Sequence, residues 1–126
     1  MIYVYVGLGG AIGSFLRFFV SHISLPHWNQ FPLGTLIVNL LGSFILGWFA
    51  ARMMPLHTIS KELKTAFSTG VIGSFTTFST LSVESVQLFE ESHFGILFVY
   101  LFLSIFVGML ITAFGYFLGI RKAVSQ

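Results

Sequence analysis

Nine serines and threonines fall within the nineteen residues from Thr65 to Val83, a stretch that carries no charge. Isolated hydroxyls in apolar helices commonly bond back to their own backbone. That habit does not account for so many together, among them Ser74, Thr76, Thr77, Ser79 and Thr80. Gly70 and Gly73 weaken the helix near the middle of the same stretch. At membrane depth, irregular backbone is tolerated only where protein or a water-filled cavity surrounds it. Carbonyls freed at such a break are candidate cation ligands, because their dipoles can replace a hydration shell.

Polar groups recur at helical spacing in the other apolar stretches. Thr35, Asn39 and Ser43 come every fourth residue and share one face. An unpaired amide at the depth of Asn39 is costly, which leaves two readings: an interhelical hydrogen bond, or a donor facing a pore. Tyr100, Ser104, Gly108 and Thr112 repeat the pattern. Arg17 lies several residues inside the first stretch, so it faces the interior or a vestibule unless it snorkels to the interface. Gly9 and Gly13 form a GxxxG pair, a sign of close helix packing. The interior acid is Glu84, near one end of its span, whereas a proton-coupled carrier calls for a central carboxylate. The remaining polar groups are donors: the Asn39 amide, the hydroxyls and the positive ring edge of a phenylalanine beside the break. Donors along a narrow, partly dehydrated path favour a small anion. Neither a nucleophile with its base nor a ligand-like spacing of His22, His27, His57 and His93 is present, so nothing points to an enzyme or a side-chain metal site.

The elements that must hold these groups follow from composition. Of 126 residues, 56% are hydrophobic and 8% charged, sixteen are phenylalanine, and mean hydropathy is +0.93. A soluble domain has about a quarter of its residues charged. The pattern predicts an all-α membrane protein of one domain, residues 1–126, with four transmembrane helices over about 1–21, 31–52, 64–89 and 94–120. The first stretch lacks a basic leader and a cleavage site, so it reads as a retained helix. Four crossings gather Arg52, Lys61, Lys64, Arg121 and Lys122 at one side, against Glu90 and Glu91 at the other. The positive-inside rule then places both termini in the cytoplasm and the chain in the cell membrane as a multi-pass protein. Basic residues do not cluster with aromatics on a polar surface, so nucleic-acid binding is unsupported, and without cysteine no disulfide is available.

Three segments carry a family resemblance: Gly9 to Arg17 (GGAIGSFLR), Gly34 to Phe44 (GTLIVNLLGSF) and Gly73 to Thr80 (GSFTTFST). In order and spacing they resemble the signature segments of the Fluc (CrcB) fluoride channels. The resemblance implies a dual-topology, antiparallel dimer with a broken third helix, two fluoride pores and a sodium ion held centrally at the interface. By position, Asn39 is similar to the pore amide and Phe78 to the phenylalanine whose ring edge meets fluoride. Ser79 and Thr80 resemble part of the polar track, which Tyr100 and Ser104 would continue. The backbone carbonyls of Gly73 and Thr76 match the sodium ligands, and Arg17 resembles the vestibule arginine. The implied role is passive export of cytoplasmic fluoride, which reduces its toxicity.

The chain also departs from that pattern. Leu81 stands where the family carries a second phenylalanine, so the electropositive ring edge is missing there. Gly108 interrupts the hydroxyl row. The lopsided charge is unlike a subunit that inserts both ways round. Two assemblies therefore stay open: a homodimer, and a heterodimer in which this chain is a weakly conducting partner of a homologous subunit. A four-helix multidrug exporter of dual topology is the nearest rival, but it calls for a glutamate in the first span, where Arg17 stands instead. A non-conducting accessory subunit would tolerate Asn39→Ala.

Overall fold

The computed structural model describes residues 1–23 and 30–124, apart from the side chains of residues 23 and 122–124. His27 therefore lies outside the described residues, as does the side chain of Lys122. All regular structure among the described residues is helical: α1 (Ile2–Ile23), α2 (Leu33–Arg52), α3 (Lys61–Thr65), a π-helical stretch (Ala66–Ile72), α4 (Gly73–Phe75), α5 (Phe78–Glu90), α6 (Phe94–Phe102), a second π-helical stretch (Leu103–Val107) and α7 (Gly108–Val124). Three helical runs are long and apolar enough to cross a membrane: Ile2–His22, Leu33–Arg52 and Phe94–Arg121. Most of their surface is uncovered, with Phe15 66% and Phe98 71% exposed, as befits side chains whose solvent is lipid.

Glycines set how the helices stack. A Cβ on Gly9 would come within 2.5 Å of the Ala66 carbonyl oxygen, and one on Gly13 would strike that of Val71. Gly70 answers from the other side, facing the Val6 carbonyl. Backbone thus touches backbone, and α1 runs in the same direction as the segment it packs on. Gly47, Gly115 and Gly119 do the same for α2 and α7, bringing Gly47 onto Thr112 and Gly119 onto Ala51. Hydrogen bonds from Thr35 to Glu84 and between Asn39 and Thr77 run the opposite way, so α2 and the third segment are antiparallel. The bundle is up-down-up-down.

Two connections are locked by specific bonds. Lys64 donates from Nζ to the carbonyls of Met54 (2.8 Å) and Leu56 (2.6 Å), tying the loop after α2 to the start of the third segment. Between α5 and α6, Ser92 adopts φ 60°, while His93 N–H reaches Leu88 O and Ser92 N–H reaches Phe89 O. This is a Schellman closure with serine in the position glycine usually takes. The main core cluster is Leu36, Leu88 and Tyr100, with Phe31, Leu40 and Leu81 packed around it. Phe31 meets the Tyr100 ring edge-on at 5.8 Å.

Candidate functional site

The third segment leaves helical geometry at two residues. Thr76 has φ −76°, ψ 156° and Thr77 has φ −146°, ψ 124°, both extended, before α5 begins at Phe78. Local chemistry favours the restart there, because Thr77 is a good N-cap. Its hydroxyl accepts the Thr80 N–H at 3.2 Å and lies within 3.2 Å of Ser79 Oγ and 3.1 Å of Thr80 Oγ1. Three hydroxyls are thereby gathered at one helix start.

Asn39 of α2 completes the break. Its Nδ2 donates to the Thr77 carbonyl at 2.9 Å, and its Oδ1 accepts the Thr77 N–H at 2.8 Å. The side-chain amide therefore stands in for a strand neighbour, satisfying both backbone groups of a residue that is itself buried. The interhelical bond and the pore-facing donor, left open by the sequence, are compatible. One amide hydrogen goes to Thr77, and Asn39 still borders the open cleft beside it.

These exchanges expose particular carbonyls. In an uninterrupted helix the Thr77 N–H would close onto Gly73 and the Thr80 N–H onto Thr76. Here the first goes to Asn39 and the second to the Thr77 hydroxyl. Gly73 and Thr76 thus lose their helical donors together, which makes their carbonyl oxygens candidate cation ligands. On the other side of the break, the first N–H groups of α5 have no carbonyl ahead of them, and the helix dipole puts partial positive charge there. Backbone ends of opposite partial charge, one suited to a cation and one to an anion, lie within a few residues of one another.

A cleft of about 320 Å³ opens at this point, between α2 and the third segment. Asn39, Ser43, Gly73, Thr76, Thr77, Phe78 and Leu81 border it. Phe78 is 81% exposed, so its ring is free to meet a partner or an ion, whereas Leu81 also leans on the core around Tyr100. Tyr100 is fully buried and donates to Glu84 Oε2 at 2.7 Å, and Thr35 donates to Glu84 Oε1 at 2.9 Å. Sequence spacing placed Thr35 on the face of Asn39 and Tyr100 in a hydroxyl row. It did not show that both converge on Glu84. Ser104 Oγ, at the second π-helical stretch, is buried and finds no hydrogen-bond partner among the described residues. Arg17 is half-buried on α1 and is not among the residues that border the cleft. In the sequence Thr77 is one hydroxyl among many, and the signal that sets it apart is its place just before a new apolar run.

The family model described as CrcB-like protein, Camphor Resistance (CrcB), matches residues 4–116. The chain belongs to the CrcB-like family. It is 42% identical over 120 residues to a protein of Bacillus anthracis named fluoride-specific ion channel FluC 1, covering 94% of this chain and 88% of that one. It is 44% identical over 117 residues to fluoride-specific ion channel FluC 2 of Geobacillus kaustophilus, with 92% and 91% covered. A fluoride-specific ion channel FluC of Thermosipho melanesiensis is 39% identical over 124 residues, nearly the full length of both chains. The match to the CrcB-like family takes in α1 from Val4 onward, and α2, the break and α6 whole.

Proposed function

We propose that this chain is a fluoride-specific ion channel of the cell membrane, passively exporting fluoride and so reducing its toxicity. The observation that carries the reading is the break at Thr76 and Thr77, where Phe78, Asn39 and the start of α5 present donors and a ring edge at one cleft. A small, strongly hydrated anion needs such groups to replace its water, and near-full-length similarity to proteins named for fluoride supports that choice of ion. In this reading fluoride passes Asn39, Phe78, Ser79, Thr80 and Leu81, and the track continues past Tyr100 and Ser104. Arg17 serves a vestibule. A sodium ion held by the Gly73 and Thr76 carbonyls fits the diverted helical bonds, and its charge would hold the break of a paired subunit against this one. Two antiparallel subunits would bring four such carbonyls together. The third helix, broken within the membrane, is then the shared centre of the dimer.

Charge distribution favours a second assembly. Arg52, Lys61, Lys64 and Arg121 sit toward one side of the up-down-up-down bundle and Glu90 and Glu91 toward the other, which favours insertion with both termini in the cytoplasm. With Leu81 in place of a second ring, this supports a heterodimer with a homologous subunit of opposite orientation. Fluoride-electrode efflux from liposomes, compared with chloride, tests both readings. Efflux of fluoride but not chloride is expected, and its absence with and without a homologous partner would refute the channel. Fast efflux from the chain alone would refute the heterodimer.

A further inference from the structure

Gly42 lies on α2 one turn beyond Asn39, and it faces the break. A Cβ built on it would occupy the place of the Thr76 γ-methyl and would stand 3.4 Å from a Phe75 ring carbon. The methyl cannot simply swing aside. Thr76 Oγ1 donates to the Ile72 carbonyl at 3.0 Å, so turning χ1 to free the methyl's place breaks that bond. Thr76 is also the first extended residue of the break, and Thr77, which Asn39 holds through both backbone groups, follows it directly. A side chain at Gly42 therefore has two outlets. It pushes Thr76 away from α2, or it pushes α2 away from Thr77. Either movement separates Asn39 from Thr77 and shifts the Thr76 carbonyl.

We infer that Gly42 is a positioning residue of the ion pathway, and that its missing side chain and the Thr76 methyl form one steric lock setting the distance between α2 and the break. The inference deepens the channel reading by naming what holds its geometry. It differs from four of the close glycine contacts elsewhere in the bundle. Gly9, Gly13, Gly47 and Gly115 each meet a backbone carbonyl of a neighbouring helix, whereas Gly42 meets one removable methyl group. That difference makes the lock separable by mutation, since Thr76→Ser deletes the methyl and keeps the hydroxyl that bonds Ile72.

The test is a double-mutant cycle of Gly42→Ala and Thr76→Ser, read by two measurements. One is hydrogen exchange at the Thr77 amide in detergent-solubilised protein; the other is fluoride efflux from liposomes. In the wild-type background Gly42→Ala is expected to speed Thr77 exchange and lower efflux on the order of tenfold, as overpacking forces the break to shift. In the Thr76→Ser background the same substitution is expected to change both by less than about twofold, because the space is already vacant. Equal effects in the two backgrounds, or no effect in either, would overturn the lock. Should Gly42→Ala yield no folded protein, recovery of folded protein in the double variant supports the lock, and failure to recover it counts against it. Absence of fluoride efflux from wild type would sink the channel reading instead, while the coupled change in Thr77 exchange would still establish the lock.

Discussion

Replacing Asn39 with alanine removes both hydrogen bonds that hold Thr77, and the structure sets the size of the effect. Thr77 is 9% exposed, and its N–H and carbonyl are paired with Asn39 at 2.8 and 2.9 Å. Leaving a buried backbone group unpaired costs about 1–3 kcal/mol, so two such groups give a ceiling of about 6 kcal/mol. The neighbouring cleft of about 320 Å³ lowers that ceiling, because water entering beside Gly73 and Phe78 can bond the orphaned groups. The expected loss is then about 2 kcal/mol, or roughly a 30-fold increase in opening of the break. Hydrogen–deuterium exchange at Thr77, followed by mass spectrometry with fragments bracketing residues 76–80, reads this directly. Protection at Leu88 and Tyr100, in the core away from the break, serves as the internal reference. The break should loosen while the reference stays protected, and fluoride efflux should fall with it. Unchanged Thr77 protection would refute the bracing role of Asn39. Lost efflux with unchanged protection would mean that the amide acts on the ion alone.

Phe78→Ile is expected to abolish fluoride efflux while leaving the fold intact, since the ring is 81% exposed; size-exclusion profile and efflux together check this. Tyr100→Phe keeps the edge-on contact with Phe31 but removes the 2.7 Å bond to Glu84. A loss of about 1–3 kcal/mol in unfolding stability is expected, with a smaller loss when Thr35→Val is already present, because both residues serve the same carboxyl group. Equal, additive losses would show that the two bonds are independent.

The bilayer was legible from composition alone. So few charges, with apolar stretches such as Phe31 to Ala51, leave hydrocarbon as the only solvent that suits the chain, and the structure is helical with three runs long and apolar enough to span it. Hydropathy and helical period are local properties, so they can be read without knowing which helix meets which. The GxxxG pair at Gly9 and Gly13 was legible for the same reason, since small residues one turn apart are useful only where another backbone approaches. The crowding of hydroxyls between Thr65 and Val83 likewise marked the segment in which Thr76 and Thr77 turn extended.

Partner choice was not legible. Asn39 bonds a residue 38 positions away, and Glu84 receives donors 49 and 16 positions away. Which hydroxyl meets which carboxyl depends on the axial register and spacing of two helices, and those are settled by the glycines that let backbones touch. A sequence scanned one stretch at a time therefore shows that Asn39 and Glu84 need partners. Only the packed bundle decides that Thr77, Thr35 and Tyr100 supply them, and that the space beside Thr76 must stay empty at Gly42.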